Sequence, residues 1–190
     1  MESYNIIRWD TKELIFKTQA NSLKEALEIG VRKGIDFRFA KLNRAELNDA
    51  KLNDAELNGA ELNHAELNGA ELSGSIGLLN PAEWLSKNFS KNGAGFIVFK
   101  AIGGTYYTCP EKWEIEPQNY IEEEINFLRT NMCGCGVNFG TFEYVKKEFP
   151  DAEKIWRCLL HFKDLPLLCV PYNTDGKARC GRLQLLEIIN

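Results

Sequence analysis

From Ala40 to Gly74 the chain repeats a five-residue unit, Ala-Xaa-Leu-Asn/Ser-Xaa, seven times without a gap. An α-helix turns roughly 100° per residue, so a five-residue step advances about 500° and spreads the Leu positions around the whole cylinder. A strand fails for a different reason, because an odd period sends successive Leu side chains to opposite faces. The pattern requires a chain that turns a corner every five residues. Leu42, Leu47, Leu52, Leu57, Leu62, Leu67 and Leu72 then point inward, and Ala40, Ala45, Ala50, Ala55, Ala60, Ala65 and Ala70 fill the tight space beside them. Such a repeat reads as a β-solenoid. Ile35 to Phe39 fits as an opening unit, with Ile35 in the Ala slot and Phe37 in the Leu slot.

These residues resemble the pentapeptide-repeat family, and the resemblance implies a right-handed four-sided β-helix with four units per coil. Two coils result, residues 35 to 54 and 55 to 74. At about 4.8 Å per layer the stack is only about 10 Å tall, and repeat arrays this short depend on caps. Upstream, Tyr4 to Trp9 and Leu14 to Lys17 bracket a turn at Asp10 to Glu13, the pattern of a β-hairpin. A helix follows: Ser22 and Glu25 form a capping box, Leu23, Ala26, Leu27 and Val31 share a face, and Gly34 ends it. Downstream, Asn80 to Trp84 opens a second helix with Pro81 in its first turn, and Asn92 to Gly95 reads as a linker. The expected organisation is an N-terminal hairpin-helix cap over 1–34, a two-coil β-solenoid over 35–74, a capping helix and linker over 75–95, and an α+β domain over 96–190.

The last segment has no repeat. Phe96 to Lys100, Ile155 to Phe162, Leu167 to Val170 and Arg182 to Ile189 are expected strands, and Thr141 to Phe149 is an expected helix stopped by Pro150. Asn173 to Gly176 is read as the turn joining the last two strands. Arg129 to Val137 and Asp175 to Arg179 resemble an uncharacterised domain that accompanies pentapeptide repeats in phage and prophage proteins. That likeness implies a viral or mobile-element context and no known reaction.

The chain opens Met1-Glu2-Ser3 and contains no long apolar run, so no export signal or membrane span is expected and the location is taken as cytoplasmic, the host cytoplasm for a phage-encoded protein. The six Cys are then expected as reduced thiols. A net charge of −4 disfavours direct binding of nucleic acid through phosphate neutralisation. That charge is unevenly placed. Residues 35–54 balance Asp36, Glu46, Asp49 and Asp54 against Arg38, Lys41, Arg44 and Lys51, whereas residues 55–74 carry Glu56, Glu61, Glu66 and Glu71 with no Lys or Arg. Stacking residue n over n+20 sets Lys41 against Glu61 and Lys51 against Glu71, leaving the sides of Glu56 and Glu66 acidic. These four glutamates are the candidate partner-binding residues, weighed against a merely solvated face. Some family members resemble duplex DNA in shape and charge and inhibit DNA gyrase, but two coils cannot reach the charge density of a duplex.

Cys133-Gly134-Cys135-Gly136 invites a zinc reading, yet one residue separates the thiols where zinc ligands favour two, and no second pair follows. No metal and no cofactor are expected. The Gly134-Cys135-Gly136-Val137 turn faintly resembles the one lining the nicotinamide pocket in ADP-ribosyltransferase-like folds. Tyr106, Arg129, Asn131, Asn138 and Asp175 are candidate pocket residues. The expected function is that of a phage or prophage interaction module that binds and inhibits or redirects a host protein, with a nucleic-acid enzyme as the concrete partner and anti-CRISPR or anti-restriction action as the concrete form. The alternative is a small-molecule or nucleotide-binding domain, or an ADP-ribosyltransferase-like enzyme, centred on residues 129–138. Self-association is left open.

Overall fold

The computed structural model describes residues 1–103 and 109–189. They divide into two compact units, Met1–Leu79 with Thr130–Met132, and Asn80–Arg129 with Cys133–Asn190.

The first unit begins with an antiparallel hairpin of β1 (Glu2–Ile7) and β2 (Leu14–Ala20), followed by α1 (Leu23–Arg32). Ser22 caps α1 by accepting from the Glu25 amide at 3.1 Å, and Glu25 reaches back to the Asn21 amide at 2.7 Å. The repeats then stack with a 20-residue register. Lys41 pairs with Glu61, Glu46 with Glu66, Lys51 with Glu71 and Glu56 with Ile76, all in parallel. Amides of Leu42, Leu47 and Leu52 donate to the carbonyls of Glu61, Glu66 and Glu71, while the amides of those glutamates donate to Ala40, Ala45 and Ala50. The carbonyls of Leu42 to Leu67 each accept from the Ala amide three residues on, and that of Leu72 from the Ser75 amide, closing a β-turn at every unit.

Those turns explain a feature that periodicity alone does not single out. Phe39, Arg44, Asp49, Asp54, Gly59, His64, Gly69 and Gly74 all have φ between 57° and 72°, one left-handed residue at each corner. Glycine and aspartate recur there because a Cβ is tolerated poorly in that region unless the side chain is absent or bonds locally. The inward positions are dry. Leu42, Leu47, Leu52, Leu57 and Leu67 are at most 1% exposed, and each contributes about 2 kcal/mol by leaving water.

The hairpin and α1 close one end of this stack. The Lys41 amide donates to Ile7 and the Trp9 amide to Phe39, while Trp9 Nε1 donates to the Gly59 carbonyl at 2.8 Å. Lys24 Nζ reaches the Asn48 carbonyl at 3.1 Å, and Glu28 accepts from the Lys51 amide at 2.9 Å. Phe37 is fully buried and meets Phe16 edge-on. Gly30 of α1 lies against the Phe37 ring so closely that any side chain there would overlap it.

The second unit is a seven-stranded antiparallel sheet in the order β4-β9-β6-β3-β5-β8-β7. The strands are β3 (Gly95–Ile102), β4 (Tyr120–Glu122), β5 (Val137–Gly140), β6 (Lys154–His161), β7 (Leu168–Cys169), β8 (Lys177–Cys180) and β9 (Arg182–Ile189). Two helices accompany them, α2 (Pro81–Asn88), capped by Asn80, and α3 (Phe142–Glu148), capped by Thr141. Central β3 pairs with β6 along its whole length and is buried at Phe96, Ile97, Val98 and Ile102. The strands expected at 96, 155, 167 and 182 are present, as is the helix at 141. One correction is needed: the turn at Asn173 to Gly176 leads into β8, not directly into β9, because Lys177 to Cys180 forms its own strand between β5 and β7. β4 and β5 were likewise not anticipated.

Candidate functional site

The first unit carries a charged surface and the second a cavity suited to act on another molecule. In the first unit the ladder sets Lys41 beside Glu61 and Lys51 beside Glu71, as the 20-residue register requires. Asn48 and Asn53, at the same position of successive units, each reach across to the next coil. Asn48 accepts from the Asn68 amide and donates to Glu66 Oε2 at 2.7 Å, and Asn53 accepts from the Ser73 amide and donates to Glu71 Oε2 at 2.9 Å. Glu66 and Glu71 are therefore held on the surface in fixed positions by a coil neighbour. Glu56 differs: it is exposed, and among the described residues its carboxylate has neither a hydrogen-bond nor an ion-pair partner. Glu61 is half-buried. The four candidate glutamates thus separate into two braced carboxylates, one loose one and one partly covered.

In the second unit a cavity of about 340 Å³ lies between α3 and the sheet, lined by Ala101, Cys133, Asn138, Tyr144, Phe149 and Lys177 among others. Strand register explains which side chains reach it. Phe99 pairs with Gly140, Gly140 with Lys177 and Asn138 with Arg179, so Asn138, Lys177 and Arg179 stand on the face that carries Phe99. Phe99 meets Phe142 of α3 at 5.5 Å, which places α3 on that same face. Tyr144 and Val145 of α3, with Phe149 just beyond it, supply the apolar wall. Burial pushes the Tyr144 phenol up, and the nearby charges of Asp175 and Glu148 add to the effect, so the hydroxyl stays protonated. Lys177 Nζ donates to Cys133 Sγ at 3.1 Å.

Asn138 forms part of this cavity, and its amide donates to the carbonyl of Gly136 at 3.1 Å. Its Oδ1 is buried with no hydrogen-bond partner among the described residues. Arg129, Asn131 and Asp175 fall elsewhere. Arg129 donates from Nε to the Val170 carbonyl at 2.7 Å and lies over the Tyr172 ring at 4.1 Å, fastening a loop to the strand edge. Asn131 groups with the first unit and does not line the cavity. Asp175 occupies the turn before β8, and its charge acts on Tyr144. Tyr106 lies outside the described residues. The Gly134-Gly136 turn runs into β5, and that strand separates it from α3.

Lys100 is a residue that sequence reasoning passed over. β3 and β5 share only the Phe99–Gly140 pair, and next to it Lys100 Nζ donates to the Asn138 carbonyl at 3.0 Å, a side chain standing in for a ladder bond. The alternation of β3 sends Lys100 to the face opposite Phe99, where it is 4% exposed and its ammonium lies 5.2 Å from the Trp113 ring centre. Burial brings its pKa down from 10.5 to about 8. The available signal was a lysine in an otherwise apolar strand. Among the described residues no group of three or more His, Cys, Asp or Glu is placed to hold a metal ion, and no helix is long and apolar enough to cross a membrane.

Comparison with known families bears on the first unit. Residues 40–76 match the family described as Pentapeptide repeats, in eight copies. That segment is similar to the family, and the rest of the chain lies outside the match. The family implies a β-helix, and the eight copies extend past the seven regular units to the Ser75-Ile76 step, where Ile76 pairs with Glu56. No curated protein and no solved structure matches this chain.

Proposed function

We propose that this protein is an interaction module whose pentapeptide-repeat array, a two-coil β-solenoid closed by the N-terminal hairpin and helix, docks on a partner protein through its acidic second coil. The observation that carries this reading is the contrast between two coils of one backbone design: residues 35–54 are neutral in sum, and residues 55–74 hold four carboxylates with no Lys or Arg. Asn48 and Asn53 hold Glu66 and Glu71 in place, so part of the negative surface is ordered before a partner arrives. Preorganised charge of this kind raises association rate and selectivity more than it raises affinity. The partner complementary to it is a protein with a basic patch. The resemblance of residues 129–137 and 175–179 to a domain of phage and prophage proteins supports a host protein as that partner, with a nucleic-acid enzyme of host defence as the form we favour.

The test is capture from bacterial lysate by immobilised full-length protein, wild type beside the Glu56→Gln, Glu66→Gln double variant. Gln keeps the size and can still accept from Asn48. The expected result is a stoichiometric basic partner that elutes as salt is raised and is captured several-fold less by the variant. Equal capture by both proteins contradicts the acidic coil as the docking surface. A second reading, a small-molecule-binding domain, draws on the cavity beside α3, whose volume is that of a small-ligand site.

A further inference from the structure

The six thiols of this chain occupy very different surroundings. Cys158, Cys169 and Cys180 are buried, and burial pushes all three thiols up, Cys158 to about 12, which keeps them protonated and unreactive. Cys109 is half-buried. Cys133 and Cys135 are both exposed and lie two residues apart in one glycine-rich turn, so the chain contains its own matched pair. They differ in two respects. Cys133 accepts a hydrogen bond from the Lys177 ammonium at 3.1 Å, whereas no such donor is found at Cys135 among the described residues. Cys133 also lines the 340 Å³ cavity walled by Tyr144, Val145 and Phe149, and Cys135 does not.

We infer that Cys133, with Lys177 beside it and the α3 cavity next to it, is a covalent capture site for small carbon electrophiles of the Michael-acceptor class that carry an apolar ring or short aliphatic body. A thiol reacts through its thiolate, and the Lys177 ammonium stands within hydrogen-bond reach of the Cys133 sulfur. The sulfur lone pair forms a C–S bond to the β-carbon of an unsaturated carbonyl compound, and the π pair moves to the enolate. A proton equivalent to the one released by the thiol returns from solvent to the α-carbon. Nothing leaves and nothing is oxidised or reduced. The apolar body of the ligand is taken up by the wall of Tyr144, Val145 and Phe149, which a small polar reagent cannot use. Lys177 acts as a positioning residue. The inference is independent of the docking role of the repeats.

The experiment treats full-length reduced protein with substoichiometric N-phenylmaleimide, and separately with iodoacetamide, and reads adducts by peptide mapping. Cys133 is expected to react about tenfold faster than Cys135 with N-phenylmaleimide, with a smaller preference for iodoacetamide. In Lys177→Met the rate at Cys133 should fall to within about twofold of Cys135, with no change at Cys135 itself. Equal or faster labelling of Cys135 in the wild type overturns the inference. So does a Lys177→Met protein that keeps the wild-type ratio. Should that variant fail to fold, the two wild-type ratios decide alone: a preference for Cys133 no larger with the aromatic reagent than with iodoacetamide removes the role of the cavity and overturns the site.

Discussion

The repeat array and the seven-stranded sheet are both β-structures, yet they place their long-range partners by different rules. In the array every partner is 20 residues away, so one register determines all of them: 41 with 61, 46 with 66, 51 with 71. In the sheet, Gly95 meets His161, Tyr120 meets Gln184 and Val137 meets Cys180, and no common spacing links these pairs. A period written into the sequence therefore determines architecture directly. Strand order in the sheet depends instead on which apolar faces are compatible, a global property that no short window contains.

The strongest way to sharpen this contrast is to remove one core side chain from each region. Leu47 is fully buried with the coil packed around it, and Leu47→Ala should cost about 3 kcal/mol. Trp156, 1% exposed in the sheet, should cost about 4 kcal/mol on truncation to Ala. Leu72, in the same repeat position as Leu47 but only half-buried, should cost less than about 1.5 kcal/mol. Urea denaturation of the three variants measures these differences. A Leu72→Ala loss equal to that of Leu47→Ala would show that the last unit is as enclosed as the second.

A buried charge in the sheet has no counterpart in the array, where the charges are on the surface. The Lys100 pKa is 10.5 when unfolded and about 8 when folded, so across that window the unfolded chain holds a proton that the folded chain has released. Stability attributable to this residue therefore rises with pH between about 8 and 10.5, and below about 8 the folded protein bears the full cost of a buried ammonium. Lys100→Met should be the more stable protein at pH 7, and its advantage should shrink by about 3 kcal/mol by the top of that window. Parallel melting curves of both proteins at several pH values measure the gap. A gap that does not change with pH would show that Lys100 is not desolvated.

Smaller effects belong to the corners. Arg44 has φ 61°, so Arg44→Gly should relieve backbone strain and leave stability unchanged or higher by up to about 1 kcal/mol. Gly69, with φ 71°, faces Asp49 so closely that Gly69→Ala should cost at least about 1 kcal/mol. Opposite signs at two equivalent corners, read by thermal melting, would confirm that the left-handed position and not the side chain is what the unit requires. Smallest of all, Glu56→Gln should move stability by less than about 0.5 kcal/mol, because the carboxylate is exposed and unpaired among the described residues.

Much of the first unit was legible because its determinants are local. The Leu and Ala slots and the Ser22 cap follow from spacing, and the stacking of Lys41 on Glu61 from the four units per coil that the family resemblance implies. The Asn48 and Asn53 ladders follow the same register, since a polar residue at a fixed repeat position has a neighbour one coil away. What spacing could not convey is that Glu66 and Glu71 are braced alike through these Asn amides, although one stacks on Glu46 and the other on Lys51. In the second unit the long apolar strands were visible, but β4, β5 and β8 are short and partly polar, and only pairing makes them strands. The cavity suffered most. Of the expected pocket residues that are described only Asn138 lines it, because Lys177 and Tyr144 come together through the β5–β8 pairing and the docking of α3, neither of which is written in one segment.

Amide hydrogen exchange on the full chain tests the 20-residue register most directly. The amides of Leu42, Leu47 and Leu52 and those of Glu61, Glu66 and Glu71 interlock across the two coils, so they should exchange slowly and as one class. The amides of Asn43 and Asn53, which have no partner among the described residues, should exchange fast within the same segment. Protection confined to the hairpin and α1, with Leu47 and Glu66 exchanging as fast as Asn53, would contradict the stacked array and with it the ordered acidic surface proposed to bind a partner.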